Sequence, residues 1–170
     1  MNPSSPLHTL LETLPQIGRI EWIGVRPARG VKMVELESVN LIVGKGLEGD
    51  RFSGRIDSSR QVTLIQQEHL AVIAACIGRE AAIAPTLLRR NIVISGVNLL
   101  ALKDKQFHLE NCVLEMTGLC HPCSKMEKRL GPGGYNAMRG HGGITAKVLS
   151  GGVIQSGDNL ISAKPLLEVN

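Results

Sequence analysis

The chain has 170 residues, a net charge of +4, 43% apolar residues and only 2% aromatic ones. That length suits one domain with a real hydrophobic core. Trp22, Phe52, Phe107 and Tyr135 are too few to build the stacking surfaces that hold single-stranded nucleic acid. The basic residues are scattered, apart from Arg89-Arg90 and Lys125-Lys128-Arg129. That dispersal suits a solvated surface or a small anionic ligand and speaks against a nucleic-acid partner.

No stretch reaches the ~18 apolar residues of a membrane span. The segment "MNPSSPLHTLLETL" has neither a basic start nor a continuous apolar core, so it does not read as a secretory signal. The expected setting is cytoplasmic, where thiols stay reduced and a structural disulfide is a poor default. Four cysteines at irregular spacing then suggest metal binding or reactivity first.

In chain order, Ser5 can cap a helix whose first position is Pro6, with Leu7, Leu10, Leu11 and Leu14 on one face. This reads as a short amphipathic helix packed on the domain. Strands are expected over 17–26, 31–37 and 39–43, with a turn at "PARG". A glycine-rich loop, "GKGLEGDRFSG", runs from Gly44 to Gly54. A strand over 60–65 leads into a helix with Leu70, Ile73, Ala74 and Ile77 on one side and Gly78 as its stop. "APTLLRRNIVISG" goes from a short helix into a strand over 91–95, and "QFHLENCVLEMTG" is a strand or a hairpin. "GGITAKVLSGGVIQSGDNLI" reads as two strands joined by a Gly-Gly turn. About eight short strands and two or three helices give a mostly β (α+β) fold, a barrel or sandwich with helices at its edge. One domain is expected, with an N-terminal helical extension over 1–16 and a core over 17–165.

Four segments carry special chemistry. The glycines of "GKGLEGDRFSG" allow close backbone approach and could cradle an anion. The spacing matches neither a Walker loop nor a dinucleotide fingerprint. Asp50 and Arg51 would ordinarily make a salt bridge or hold the turn. In "LLRRNIVISG", alternation along an extended chain lets Arg89 and Asn91 face one site while Arg90 points elsewhere. An arginine with an amide partner can hold a phosphate by forked hydrogen bonds, although a surface arginine pair is the plainer reading. In "RGHGGITA", His141 stands among glycines and could be an anion contact, a proton donor, a metal ligand or an incidental turn residue.

The fourth is "TGLCHPCSKME", residues 117–127. One CxxC supplies two ligands, not a zinc site, and neither Cys76 nor Cys112 has a partner at ligand spacing. A set of Cys120, Cys123 and His141 would still lack a fourth ligand. A thioredoxin-like dithiol would follow the first strand of a βαβ unit, and this pair comes late in a β-rich chain. The remaining reading puts Cys123 at the entrance of a helix, where backbone N–H groups with Lys125 and Lys128 favour a thiolate. A thiolate is a soft metal ligand.

The segments "GLEGDR", "RQVTLIQQEHL", "RRNIVISG", "TGLCHPCSKME" and "RGHGGITAKVLSGGVIQSGD" occur in this order in a way that resembles MOSC domains. These are named after the C-terminal part of molybdenum-cofactor sulfurase. The likeness runs from about Gly18 to Asp158 and is to the small, stand-alone bacterial type. It implies a β-barrel resembling the barrel domain of pyruvate kinase, with flanking helices. It also implies the molybdenum cofactor, a molybdopterin carrying an oxo-metal. Relatives such as the mitochondrial amidoxime-reducing component ligate molybdenum through one cysteine and reduce N-hydroxylated substrates. Stand-alone members have also been proposed as sulfur carriers. By this resemblance Cys123 is the metal ligand and catalytic residue, with Cys120 less firmly matched. Arg89 and Asn91 would contact the pterin or its phosphate, Thr63 could touch the cofactor, and His141 lies in a loop that would close over it. The expected partners are a cofactor and a small-molecule substrate, with a separate reductase or a cysteine desulfurase; no nucleic acid and no membrane are expected.

Overall fold

The computed structural model describes residues 5–52 and 54–163. Residues 1–4 of the expected extension, Ser53 of the glycine-rich loop, and residues 164–165 of the expected core lie outside the described residues. In chain order the elements are α1 (Pro6–Glu12), β1 (Gly18–Val25), β2 (Val34–Glu35), β3 (Ser38–Ile42), β4 (Gly46–Leu47) and β5 (Val62–Gln66). There follow α2 (Gln67–Cys76), α3 (Pro85–Leu88), β6 (Ile92–Ser95), a 3₁₀ turn (Leu99–Leu102), β7 (Gln106–Leu109) and β8 (Cys112–Leu119). Then come α4 (Ser124–Leu130), α5 (Gly134–Met138), β9 (Ile144–Ser150), β10 (Gly152–Gln155) and β11 (Asn159–Ser162).

Seven strands close into a barrel in the order β1-β6-β5-β9-β8-β7-β11, and β11 pairs back onto β1. All neighbours are antiparallel except β5 and β6, where Leu64 faces Ile92. A parallel pair needs a crossover, and α2 with α3 supplies it. The alternation of strand residues sorts the core into two. Val62 and Leu64 of β5, with Ile92 and Ile94 of β6, point into the barrel beside Ile20, Phe107 and Ile144. Ile65 and Val93 point outward and meet a helical layer carrying Ile73, Leu88, Met126 and Met138. Both clusters are dominated by aliphatic residues, as the scarcity of aromatics implies. No helix among the described residues is long and apolar enough to cross a membrane.

Three expectations need correction. The first helix does form, with the Ser5 hydroxyl accepting from His8 N at 3.1 Å, but it is not packed by its leucines. Leu7, Leu10 and Leu11 are 55%, 71% and 50% exposed. The helix stops at Glu12, so Leu14 leaves their face and alone packs on the barrel. The expected strand over 31–37 shrinks to β2, whose two residues are exposed. Finally, β9 and β10 are not a hairpin: β9 pairs within the barrel, while β10 pairs with β3 in a small separate sheet. Gly151 carries the chain across, and a Cβ there would sit 2.3 Å from Leu41 O.

Candidate cofactor site

The first half of the site is a cleft of about 290 Å3 whose walls include Arg26, Asp50, Arg51, Arg60, Thr63 and Asn91. Arg26 emerges from the end of β1. The glycine-rich loop is tied to it: Arg26 N donates to Asp50 Oδ1 at 2.7 Å and Arg51 N donates to Arg26 O at 2.7 Å. Asp50 thus holds the turn, with Arg26 Nη2 at 3.6 Å from its second oxygen. Arg26 Nε is buried without a hydrogen-bond partner among the described residues. A buried donor left unpaired is costly, so the atom is suited to an incoming acceptor. Three arginines and one carboxylate that is already engaged line the cleft, which gives it an excess of positive charge.

Thr63 and Asn91 form its floor. Asn91 Oδ1 accepts from Thr63 N at 3.1 Å and from Thr63 Oγ1 at 2.8 Å, and Asn91 N donates to Thr63 Oγ1 at 3.0 Å. Asn91 Nδ2 donates to Gly24 O at 3.2 Å. The amide therefore fastens β5, β6 and β1 together and keeps one N–H to offer.

Of the two residues expected to share a site, Asn91 lines the cleft and Arg89 does not. Arg89 is half-buried and has a left-handed backbone, with φ 59°. Burial, then the guanidinium groups of Arg26, Arg129 and Arg51, press its pKa below the ordinary arginine value, and Cys123 pulls the other way. Arg89 thus lies in the electrostatic reach of both the cleft and the cysteine turn. Arg90 is buried and donates to three carbonyls: Gly142 O at 2.7 Å, Leu88 O at 2.9 Å and Cys120 O at 3.2 Å. Burial lowers its pKa most, opposed by Cys120 and Cys123.

The cysteine turn is the second half. Cys123 is exposed and stands at the N-cap of α4, as expected, with Met126 N donating to its carbonyl at 2.8 Å. Cys120 is half-buried, and its N donates to Gly143 O at 2.9 Å. A Cβ on Gly142 would sit 2.3 Å from Cys120 O, so the glycines of "RGHGG" let the loop lie against the turn. His141 does not line the arginine cleft. Its Nδ1 bonds Ala137 O at 3.0 Å and its ring meets His69 edge-on at 5.1 Å. No group of three His, Cys, Asp or Glu side chains among the described residues is placed to hold a metal ion. In the strand registers Ile92, Leu64, Ile144 and Leu119 form one rung. Asn91 and the cleft lie to one side of it, Gly143 and Cys120 to the other, and Arg90 spans the two.

The sequence profile of the MOSC domain matches residues 45–161. The chain belongs to the MOSC domain family. The solved structure of YuaD from Bacillus subtilis shares its fold with TM-score 0.73 and 20% identity, covering 87% of this chain and 97% of that one. YiiM from Escherichia coli aligns with TM-score 0.67 and 17% identity over 87% of this chain and 71% of that one. YiiM from Geobacillus stearothermophilus gives 0.64 and 20% over 89% and 77%. No curated protein sequence matches the chain.

Within this MOSC barrel, three contributors were not evident from sequence. Arg26 reads as the last residue of a strand, Arg60 as the start of a strand, and Arg90 as the idle half of a surface pair. A signal existed only for Arg90: a strand start between two segments that must both approach it.

Proposed function

We propose that this MOSC protein binds the molybdenum cofactor with Cys123 as metal ligand, and that it serves as an oxidoreductase component reducing N-hydroxylated substrates. The observation that carries this reading is an arginine cleft on one side of the rung and, on the other, the Cys120 turn that leads to the exposed Cys123. Such a separation suits a ligand with a metal at one end and a phosphate at the other. The donor set fits: a cysteine thiolate is a soft ligand, and forked guanidinium groups hold phosphate. Arg26, with its unpaired Nε, Arg51 and Arg60 would hold the phosphate, and the remaining N–H of Asn91 would face the same group. Bound there, the cofactor would supply the two-electron chemistry that breaks an N–O bond.

The chain's own residues position the parts. Arg90 clamps the Cys120 carbonyl and the Gly142 carbonyl, fixing where the Cys123 turn stands. Arg89 extends positive field from cleft to thiol. Electrons would come from a separate reductase, in a cytoplasmic setting. The test is purification from a host that makes the cofactor, followed by an assay of amidoxime or N-hydroxylated purine reduction with a chemical donor. Molybdenum in the protein with turnover supports the reading; neither metal nor turnover refutes it.

A second reading takes the exposure of the Cys123 thiol as its support. Cys123 would carry a persulfide or pass on the cofactor without turnover. Mass spectrometry after incubation with a cysteine desulfurase and cysteine should show one added sulfur on Cys123, and an unmodified Cys123 removes this reading.

A further inference from the structure

Beside the cysteine turn lies a second cleft of about 710 Å3 lined by His121, Asn136, Arg139 and Gly140. The cleft is open, and His121, Asn136, Arg139 and Gly140 are all exposed. Its walls come from two segments fastened together. Cys120 N bonds Gly143 O, and Arg90 holds both Cys120 O and Gly142 O. His121 lies between Cys120 and Cys123, and Asn136 and Arg139 stand at the end of α5.

The chemistry of the lining is one-sided. Arg139, Asn136 and His121 can all donate hydrogen bonds, and no carboxylate lines the cleft. Among the described residues Arg139 makes no ion pair, and none of the three side chains makes a hydrogen bond to another described residue. A guanidinium fork next to an amide and an imidazole matches the two oxygens of a carboxylate.

We propose that this cleft is a substrate subsite that selects small organic molecules bearing a carboxylate, anchored by Arg139 with Asn136 and His121. A molecule so anchored has its other end over the turn that carries Cys123. The assignment of the ligand as substrate rests on Cys123 being the reactive centre; the binding itself does not.

The test uses the full chain labelled with 15N, titrated with benzoate and with the neutral benzamide and followed by NMR. Benzoate should bind about tenfold tighter than benzamide, the difference a bidentate arginine–carboxylate pair supplies. The shifts should centre on Gly140, His121 and Asn136. Arg139→Gln, a surface change, should erase the preference, and Arg139→Lys should restore part of it. Equal affinities, a preference that survives Arg139→Gln, or shifts confined to the Arg26 cleft would each overturn the proposal. Because the titration needs no turnover, a subsite that binds in a protein without molybdenum stands while the functional reading falls. Reduction of amidoximes with no carboxylate preference gives the reverse.

Discussion

Replacing Arg90 with methionine keeps much of the side chain's volume and removes the charge and every donor. Three carbonyls, those of Gly142, Leu88 and Cys120, then lose their partner at 2.7, 2.9 and 3.2 Å. Each buried carbonyl left unpaired costs about 1–3 kcal/mol. Against that, removing a buried ion regains several kcal/mol of desolvation. The net loss is about 2–4 kcal/mol, within the range for breaking a buried polar network. For a chain of this size that lowers Tm by roughly 5–15 °C. Arg90→Lys keeps one charged donor and should fall between wild type and Arg90→Met. Thermal unfolding followed by circular dichroism, with urea titration as a second measure, reads both. A drop in Tm under about 2 °C for Arg90→Met would mean that the three carbonyls find other partners. Arg90 would then not be what holds the cysteine turn against the glycine loop.

Asn91→Ala removes the acceptor for two Thr63 groups and the donor to Gly24, and should cost about 2–3 kcal/mol in urea unfolding; Thr63→Ser, which keeps the hydroxyl, should cost under about 1. Gly143→Ala should destabilise far more than Gly140→Ala. Both have positive φ, but only at Gly143 would a Cβ meet a backbone oxygen, Leu64 O at 1.9 Å. Gly140→Ala should show only the left-handed backbone penalty of about 1–2 kcal/mol. Burial first, and then the neighbouring His141, lower the pKa of His69, with Glu68 opposing. Its unfolded form therefore binds a proton more readily than its folded form. The stability this confers is present above about pH 6.5 and is lost as pH falls below it through the folded value. His69→Asn should flatten the fall in Tm between pH 7.5 and 5.5; an unchanged pH profile would remove His69 from that account.

The barrel strands were legible where one side of a strand is inside and the other meets a helix. In β5 and β6, Val62, Leu64, Ile92 and Ile94 against Ile65 and Val93 follow a period of two. The helix at 67–76 was legible for the same reason at its own period, with Leu70, Ile73 and Ala74 buried. What stayed hidden depends on partners far away in sequence. The leucines of α1 have the right spacing, yet they stay exposed, and only Leu14, past the helix end, finds the barrel. "LSGGVIQ" looks like a hairpin until β3 takes β10 as its partner. α5 begins at Gly134, inside "GPGG", where Glu127 holds the helix start by accepting from Gly133 N and Tyr135 N. The site shows the same division. Cys123 at a helix entrance follows from local sequence, since Pro122 and the polar run after it mark a helix start. Arg26 does not, because its place in the cleft is set by Asp50, 24 residues away.

The central claim is that Cys123 holds the metal while Cys120 supports the turn through its backbone. It is tested most directly by the ratio of molybdenum to protein, measured by elemental analysis on wild type, Cys123→Ala and Cys120→Ala. All three are to be purified without chelators from a cofactor-producing host. The account predicts metal in wild type, almost none in a folded Cys123→Ala, and most of it in Cys120→Ala, whose backbone N and O keep their bonds to Gly143 and Arg90. A Cys123→Ala protein that retains molybdenum at the wild-type ratio would contradict it.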